Sequence, residues 1–445
     1  MRLTILGGGG FRVPLVYRAL LADRRRTGIT EVMLHDVDPG RLDAIGRVLA
    51  AQARDVPDAP AVGTTTDLDT AVTGAAFVFC AVRVGGLRGR VTDERVALSL
   101  GVLGQETVGA GGISYGLRTV PVARHIAARV AHLAPEAWTI NFTNPAGLVT
   151  EAMATHLGDR VIGICDSPAG LVDRALGALG ADRASVHIDY AGLNHLGWLY
   201  GMRQLSGPDL LPGLLADKAL LETLEEGRLF GAAHLRDLGA IPNEYLHYYY
   251  DSAGTLAAVR DAPQTRGAFL LEQQHRCYAE ISAGDPLEAW LAAWREREAT
   301  YMAENRELAG AGERDHDESR PAGYEGVALA VMRALAHDEP ATLILNVRNR
   351  GTLGILDDDA VVEVPCTVDA RGAAPHRVAP LPGHGVSLVR AVKSAERAVL
   401  EAVATGSRSA AVRAMAAHPL IASEPVARRL IDAYRAELPG LAYLR

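Results

Sequence analysis

Cysteine is scarce in this chain, and the few copies form no framework. The sequence of 445 residues holds four cysteines, and they lie far apart. Small secreted domains that depend on disulfides carry dense, regularly spaced cysteines, which this spacing excludes. We therefore expect reduced thiols in a reducing compartment. The four positions are Cys80, Cys165, Cys277 and Cys366.

Long apolar runs and basic patches are missing as well. No apolar run is long enough to span a bilayer, and residues 1–6 lead straight into glycines instead of into the apolar core of a signal peptide. Lysine and arginine number 45 against 53 acidic residues, which gives a net charge of −8 without a basic patch. These absences argue against a nucleic-acid or membrane partner, and we expect a cytoplasmic protein.

The first half of the chain alternates between strand-like and helix-like segments. This order predicts an α/β fold with a Rossmann-type doubly wound parallel sheet, which binds ligands beyond the carboxyl ends of its strands. The strand-like runs are residues 3–6, 31–35, 76–82, 138–142 and 160–165, and the clearest helical segments are 13–22 and 120–133.

A run of glycines follows the first predicted strand. Small residues at 7–10 let the backbone approach a pyrophosphate at the start of a helix. The third glycine of the usual dinucleotide fingerprint is absent, so a tight structural turn is the alternative. Asp36 ends the second predicted strand, where a carboxylate accepts both ribose hydroxyls of NAD and disfavours the extra phosphate of NADP. The predicted NAD contacts are Gly7, Gly8, Gly9, Gly10, Phe11 and Asp36.

A cysteine and a histidine suggest a metal beside the nicotinamide. Cys165 ends the run 160–165, and His195 lies in the segment 186–205, which reads as strands or a hairpin. A free cysteine is more often a small buried apolar residue, and a lone histidine is more often a core or surface residue. Together in a nicotinamide protein they predict a metal site with two protein ligands, completed by substrate oxygens and water. Zinc prefers more protein ligands, so such an open site favours Mn²⁺ or another divalent metal.

The length of the chain exceeds what one hydrophobic core usually serves, so we expect two domains. Residues 1–166 are predicted to form the NAD-binding domain. Residues 167–445 are predicted to form a second, mixed α+β and helix-rich domain that binds metal and substrate and shares the sheet or packs against it. Its further strands are predicted at 342–347 and 361–368, its helices at 214–229, 269–281, 289–306 and within 386–438, and a solvated loop at 313–320.

Three other clusters could contact a substrate. Asn144, in the segment 141–146, either points at a bound substrate or caps a strand-to-helix turn. The segment 83–94, which contains Arg90, is predicted as a flexible basic loop suited to an anionic substrate, and a solvated charged loop is the alternative. Tyr245 is the first of four tyrosines within residues 245–250. Aromatic packing explains most such runs, but a tyrosine beside a metal can ionise and act as a base.

These motifs together resemble glycoside hydrolase family 4, the NAD- and metal-dependent glycosidases, and in particular its 6-phospho-glucosidase branch. This family is an exception to glycoside hydrolysis by two carboxylates. One departure is Gly10, where family members usually have serine, so one side-chain hydrogen bond to phosphate is lost and the backbone donors remain. The matching segments are 7–14, 83–86, 90, 93–94, 104–107, 141–146, 165–166, 194–195, 245–250, 266 and 346–351.

The resemblance implies a reaction in which oxidation is reversed within each turnover. NAD⁺ takes a hydride from C3 of the sugar, and a metal on Cys165 and His195 holds the resulting ketone and the C2 hydroxyl. Tyr245 then removes the acidified C2 proton, the aglycone leaves from C1, water adds and the hydride returns. Asp166 would lie where the leaving oxygen needs a proton. The residues implied to contact the substrate are Arg90, Asn144 and Arg266, and arginine suits a 6-phosphate.

The choice of anomer is divided. In the family, aspartate after the metal cysteine, here Asp166, accompanies phospho-α-glucosidases, whereas the segments 141–152 and 241–245 are more similar to the phospho-β-glucosidases. We predict hydrolysis of 6-phospho-β-glucosides to glucose 6-phosphate and aglycone, with a 6-phospho-α-glucosidase as the alternative. The substrate would be a phosphorylated disaccharide or an aryl glucoside, and the enzyme a homodimer or homotetramer. An NAD-dependent hydroxy-acid dehydrogenase and a nicotinamide- or sugar-binding sensor are the rival classes.

Overall fold

The computed structural model describes residues 1–300 and 323–445 and is built around one sheet. Twelve strands form this sheet in the order β3-β2-β1-β4-β5-β6-β10-β11-β7-β8-β9, with β12 paired to β11. The strands are β1 Arg2–Leu6, β2 Glu31–His35, β3 Ala61–Thr65, β4 Phe77–Cys80, β5 Trp138–Asn141, β6 Val161–Gly163, β7 Val186–Leu193, β8 Leu196–Gln204, β9 Ile241–Pro242, β10 Ala341–Arg348, β11 Val361–Asp369 and β12 Gly372–Pro375.

The first six strands run parallel, as predicted for a doubly wound sheet. Their central members are apolar on both faces because helices cover both sides, and all four residues of β4 are buried. β3 escaped the sequence prediction because it is an edge strand whose residues are mostly exposed.

The sheet continues into the second half of the chain through antiparallel pairs. β10 pairs with β6 at Asn346 and Gly163, and β11 pairs with β10 and β7. The predicted hairpin at 186–205 is confirmed as β7 and β8, with Asn194 and His195 in its turn. The expected mixed architecture with many helices is therefore confirmed. A domain boundary at residue 166 stays a prediction, since the sheet runs across it.

Helices cover both faces of the sheet. The predicted helix 214–229 is wrong in detail, because it is divided into three short helices, and the region 386–438 likewise contains three. Within the described residues, the α-helices are Val13–Thr27, Pro39–Ala53, Leu68–Val72, Gly86–Ser99, Gly109–Leu133, Ala146–Leu157, Ser167–Leu179, Leu211–Ala216, Lys218–Thr223, Glu225–Phe230, Ala232–Leu238, His247–Tyr250, Ser252–Asp261, Arg266–Ala283, Pro286–Ala299, Tyr324–His337, Gly383–Thr405, Arg408–Ala417 and Glu424–Glu437.

The prediction of a flexible basic loop at 83–94 is wrong. A helix begins at Gly86 after Gly85, whose φ of 84° lies in the left-handed region. Arg90 and Glu94 are buried on this helix and form an ion pair, with Arg90 Nε 2.7 Å from Glu94 Oε1. Arg90 is thus paired within the protein, which a count of arginines does not reveal.

Two predictions touch residues that the structure leaves undescribed. The helix predicted at 289–306 is present as Pro286–Ala299, and its remainder and the loop predicted at 313–320 lie outside the described residues. Across residues 1–300 and 323–445, no helix is long and apolar enough to cross a membrane.

Candidate functional site

A large cleft opens at the carboxyl edge of the parallel strands, with a volume of about 1340 Å³. Residues that directly follow β1, β2, β4, β5 and β6 line it, which is where doubly wound sheets bind ligands. Most of the predicted site residues meet in this cleft, whereas Gly8 and Gly9 do not line it. Those that line it are Gly7, Gly10, Phe11, Asp36, Arg90, Asn144, Cys165, Asp166, His195, Tyr245 and Arg266.

The glycine loop is held tightly against the strands on both sides. The backbone N–H groups of Gly7 and Gly8 both donate to the His35 carbonyl, at 2.9 and 2.7 Å. Gly7 has a φ of 83°, and a Cβ there would lie 2.4 Å from the Ala81 carbonyl oxygen, so only glycine fits. The helix Val13–Thr27 follows directly. A close-packed turn leading into a helix amino terminus is the form that a pyrophosphate requires.

Asp36 is connected to the same loop. Its Oδ2 accepts a hydrogen bond from the Gly9 N–H at 3.1 Å, and its Oδ1 accepts one from the Asp38 N–H at 3.1 Å. The carboxylate is therefore fixed at the edge of the cleft by backbone donors. Loop, helix and carboxylate together fit a dinucleotide with free ribose hydroxyls.

Cys165 and His195 reach the cleft from two different elements. Cys165 lies between β6 and the helix Ser167–Leu179, and His195 lies in the turn between β7 and β8. Each residue is only 5% exposed. The φ of His195 is 62°, a left-handed conformation that non-glycine residues rarely adopt and that often marks functional sites.

The protonation state of His195 suits metal binding, whereas the Cys165 thiol has to lose its proton to become a ligand. Burial lowers the pKa of His195 to about 4, although Asp166 and Glu106 act to raise it, so the imidazole is neutral near pH 7. Burial, together with Glu363 and Asp166, raises the pKa of the Cys165 thiol well above its usual range. A cation that binds this thiol would displace its proton.

The donor set is open. In the described part of the chain, no group of three or more His, Cys, Asp or Glu side chains is arranged to hold a metal. His195 Nδ1 lies 3.1 Å from the Thr107 hydroxyl, which leaves Nε2 to act as a ligand. A thiolate and an imidazole fit a divalent ion that completes its shell with substrate oxygens and water. Thr107 lies in the matching segment 104–107, which had no assigned role, and its hydroxyl orients the ring.

Tyr245 lies directly against the histidine. The two rings are stacked with centroids 3.7 Å apart and planes 5° apart. Tyr245 belongs to the short 3₁₀ helix Glu244–Leu246, and its backbone N–H donates to the Asn243 side chain at 3.1 Å. The fold thereby places the predicted base beside a predicted metal ligand.

Asn144 does not cap a helix, so that interpretation is wrong. The helix Ala146–Leu157 has Pro145 at its N-cap, without a side-chain cap. The turn is instead closed by Asn141, whose side chain bonds to the backbone of Thr143 and Ala146. The buried Oδ1 of Asn144 has no hydrogen-bond partner within the described ranges, which fits a contact with a bound molecule.

The two predicted substrate arginines already have protein partners. Arg90 is paired with Glu94 and also with Glu106, whose Oε1 lies 2.9 Å from Arg90 Nη1. Burial acts to lower the pKa of Arg90, but Glu106 and Glu94 raise it by a larger amount, so the pKa lies above its usual range. Arg266 begins the helix Arg266–Ala283 and donates to the Thr300 hydroxyl at 2.6 Å and to the Arg297 carbonyl at 2.9 Å. Both guanidinium groups are thus held in place.

Arg12 and Arg297 enlarge this group, and the sequence motifs did not indicate a substrate role for them. Both line the cleft. Burial lowers the pKa of the Arg297 guanidinium to about 9, together with the neighbouring charges of Arg12, Arg266 and Arg90, while Glu106 acts to raise it. The cleft is therefore lined by four arginines, and the charges of three of them lower the pKa of the fourth. We call Arg12, Arg90, Arg266 and Arg297 the arginine cluster.

Comparisons with known proteins agree with this site. The model of the family 4 glycosyl hydrolases matches residues 2–180, and the model of their C-terminal domain matches residues 190–421. A probable 6-phospho-beta-glucosidase of Bacillus subtilis is 30% identical, over 99% of this chain and 97% of its own. A 6-phospho-alpha-glucosidase of Leptotrichia buccalis is 29% identical, over 97% of this chain and 96% of its own.

A solved structure supports the same relationship. The 6-phospho-beta glucosidase from Thermotoga maritima, determined with manganese, NAD⁺ and glucose-6-phosphate, has a TM-score of 0.82 and 26% identity, and the match covers 100% of both chains. The resemblance predicted from the motifs is therefore confirmed by sequence and by structure. The chain belongs to family 4 of the glycosyl hydrolases.

Proposed function

We propose that this enzyme hydrolyses 6-phospho-β-glucosides to glucose 6-phosphate and the free aglycone, with NAD and a divalent metal such as Mn²⁺. Relatives that match nearly end to end carry the names of 6-phospho-glucosidases. The observation in this chain that carries the proposal is the arginine cluster in the same cleft as the glycine loop, Cys165 and His195. A cluster of guanidinium groups can bind the phosphate of a sugar phosphate through charge-assisted hydrogen bonds.

The site would divide between the two halves of the chain. Residues 1–166 would bind NAD through Gly7, Gly8, Gly9, Gly10, Phe11 and Asp36, and residues 167–445 would complete the metal and substrate sites. Cys165 and His195 would hold the metal. When bound, NAD⁺ accepts the C3 hydride, and the metal polarises the sugar oxygens at C2 and C3.

Tyr245 and Asp166 would move the protons. A C2 proton becomes acidic only next to a C3 ketone, and the stack of Tyr245 on His195, one of the two proposed metal ligands, supports this role. A nearby cation lowers the pKa of a phenol, which makes the tyrosinate available as base. Asp166 follows Cys165 and lines the cleft, so it could protonate the leaving oxygen at C1. Arg90, Asn144 and Arg266 would hold the phosphorylated sugar.

The α-glucosidase alternative rests on Asp166. The names of the relatives do not decide between the two, because they include both anomeric classes. Nitrophenyl 6-phospho-α- and β-glucosides should be assayed with and without Mn²⁺ and NAD⁺. Release of nitrophenol from the β substrate, dependent on both additions, supports the proposal. Activity on the α substrate alone would reverse the anomer. Stoichiometric release of NADH would instead identify a dehydrogenase. Such enzymes pair their catalytic histidine with a carboxylate, whereas the partner of His195 is the Thr107 hydroxyl.

A further inference from the structure

Three aromatic side chains from the second half of the chain donate hydrogen bonds to the glycine loop. They bind backbone carbonyls of residues 9, 11 and 12, and each belongs to a different helix. The Tyr278 hydroxyl donates to the Gly9 carbonyl at 2.6 Å, the Trp290 Nε1–H to the Phe11 carbonyl at 2.8 Å, and the Tyr324 hydroxyl to the Arg12 carbonyl at 2.9 Å.

These contacts hold three peptide groups of the loop in place. The N–H groups that share a peptide with the Gly9 and Arg12 carbonyls donate to the Gly7 and Gly10 carbonyls, so Tyr278 and Tyr324 hold the turn itself, whereas Trp290 also sets the direction of an N–H. The N–H and C=O of a trans peptide point in opposite directions, so a carbonyl that is tied to one side turns its N–H to the other. The Phe11 carbonyl points to Trp290, and the Arg12 N–H of the same peptide therefore points away from it. That N–H lies at the amino terminus of the helix Val13–Thr27, where a pyrophosphate is bound in this type of fold.

Trp290 and Tyr278 are held in place by packing against neighbouring side chains. Trp290 is fully buried, and its ring lies 6.2 Å from the Phe11 ring. The guanidinium of Arg41 lies 4.7 Å from the centre of the Tyr278 ring. Tyr278 and Trp290 do not line the cleft, so they would act on a ligand only through the loop.

The helix that carries Trp290 also contributes a member of the arginine cluster, Arg297. Trp290 and Arg297 are seven residues apart on the helix Pro286–Ala299 and therefore lie on one face of it. The Arg297 guanidinium lies 5.8 Å from the centre of the Phe11 ring. Two residues of this helix, Trp290 and Arg297, thus contact Phe11 next to the proposed pyrophosphate site.

We propose that Tyr278, Trp290 and Tyr324 are positioning residues that hold the loop 9–12 in the form that binds the dinucleotide. The inference rests on the proposed binding of NAD. The second half of the chain would then contribute to cofactor affinity through hydrogen bonds to the carbonyls of the loop. Tyr278 and Trp290 would not contact the cofactor themselves.

The test is the dissociation constant of NAD⁺, measured by calorimetry on the full chain without substrate. Tyr278→Phe removes only the hydroxyl and should weaken binding about fivefold, the effect of one ordinary hydrogen bond. Tyr324→Phe should weaken it to a similar extent. Tyr200→Phe is the matched control, since its hydroxyl also donates to a backbone carbonyl, that of Ala379 at 2.7 Å, away from the cleft.

The melting temperature and the turnover number separate positioning from general stability. All three variants should lose a similar amount of melting temperature, and turnover at saturating NAD⁺ should stay within about twofold of the unmodified enzyme. NAD⁺ affinity should fall only in Tyr278→Phe and Tyr324→Phe. If these two bind NAD⁺ as tightly as the control does, the positioning role is wrong and the proposed function stands. If the unmodified chain does not bind NAD⁺, both are wrong.

Discussion

Replacing Arg297 with glutamine should weaken phosphate recognition without destabilising the protein. Burial and three neighbouring guanidinium groups lower the pKa of Arg297 to about 9, which is about 3.5 pH units below the ordinary arginine value. At about 1.4 kcal/mol per pH unit, this corresponds to a cost on the order of 5 kcal/mol for keeping the cation in this place. Its buried Nε also has no hydrogen-bond partner across the described residues. An uncharged side chain relieves both costs.

The loss should appear only with phosphorylated substrates. A hydrogen bond between an arginine and a phosphate contributes about 1.5–3 kcal/mol, which corresponds to a factor of roughly 10 to 100 in kcat/KM. The ratio of kcat/KM for a nitrophenyl 6-phospho-glucoside to that for the unphosphorylated glucoside should fall by this factor in Arg297→Gln. In the unmodified enzyme, the ratio should be at least about a hundred, because Arg90 and Arg266 contribute as well.

Arg228→Gln is the control for this experiment. Arg228 also lines the cleft, but its guanidinium donates to the Glu222 and Thr223 carbonyls and does not belong to the arginine cluster. Its ratio should match that of the unmodified enzyme. The melting temperature of Arg297→Gln should be unchanged or higher. An unchanged ratio in Arg297→Gln would show that Arg297 does not bind the phosphate, and a melting temperature several degrees lower would show that its charge does not destabilise the protein.

Three further predictions concern the metal and the carboxylate of Glu106. Cys165→Ser should lose the metal-dependent activity and keep its NAD⁺ affinity, and full activity after chelator treatment would show that the metal assignment is wrong. Thr107→Val removes the hydroxyl beside His195 and should raise the Mn²⁺ concentration for half-maximal activity at least about tenfold, so an unchanged Mn²⁺ requirement would count against the orienting role. Burial raises the pKa of Glu106, but Arg83 and other guanidinium groups lower it more strongly, to about 2. Its folded-state pKa is below the unfolded value, so it stabilises the protein above about pH 4.5 and this contribution is lost as the pH falls towards 2. The melting temperature of Glu106→Gln should therefore depend less on pH across that window, and parallel curves would contradict the linkage.

The sequence predicted the parts of the fold that depend on local patterns. The parallel strands are short apolar runs because both of their faces are covered, and their order with the helices predicts a doubly wound sheet. β3 could not be found in this way, since its residues are mostly exposed at the sheet edge. The helix Gly86–Ser99 was mistaken for a loop because its buried arginine, Arg90, is neutralised by carboxylates on the same helix and beyond it.

The candidate site shows the same limit. The glycine loop, Asp36 and Cys165 directly follow strands, so their presence at one edge could be predicted from the sequence. Arg297 and Tyr278 come from helices more than 200 residues further along the chain, without a motif of their own. Only tertiary packing brings these two side chains to the loop, so sequence reasoning could not assign them.

We propose that the glycosidic bond breaks only after a proton leaves C2, and deuterium from the solvent follows that proton. The 6-phospho-glucoside should be turned over in D₂O with NAD⁺ and Mn²⁺, and the glucose 6-phosphate examined by NMR. This order of steps predicts deuterium at C2, NAD⁺ that is required but not consumed, and a severe loss of kcat in Tyr245→Phe with NAD⁺ still bound. Glucose 6-phosphate that carries only protium at C2, made at full rate by Tyr245→Phe, would contradict it.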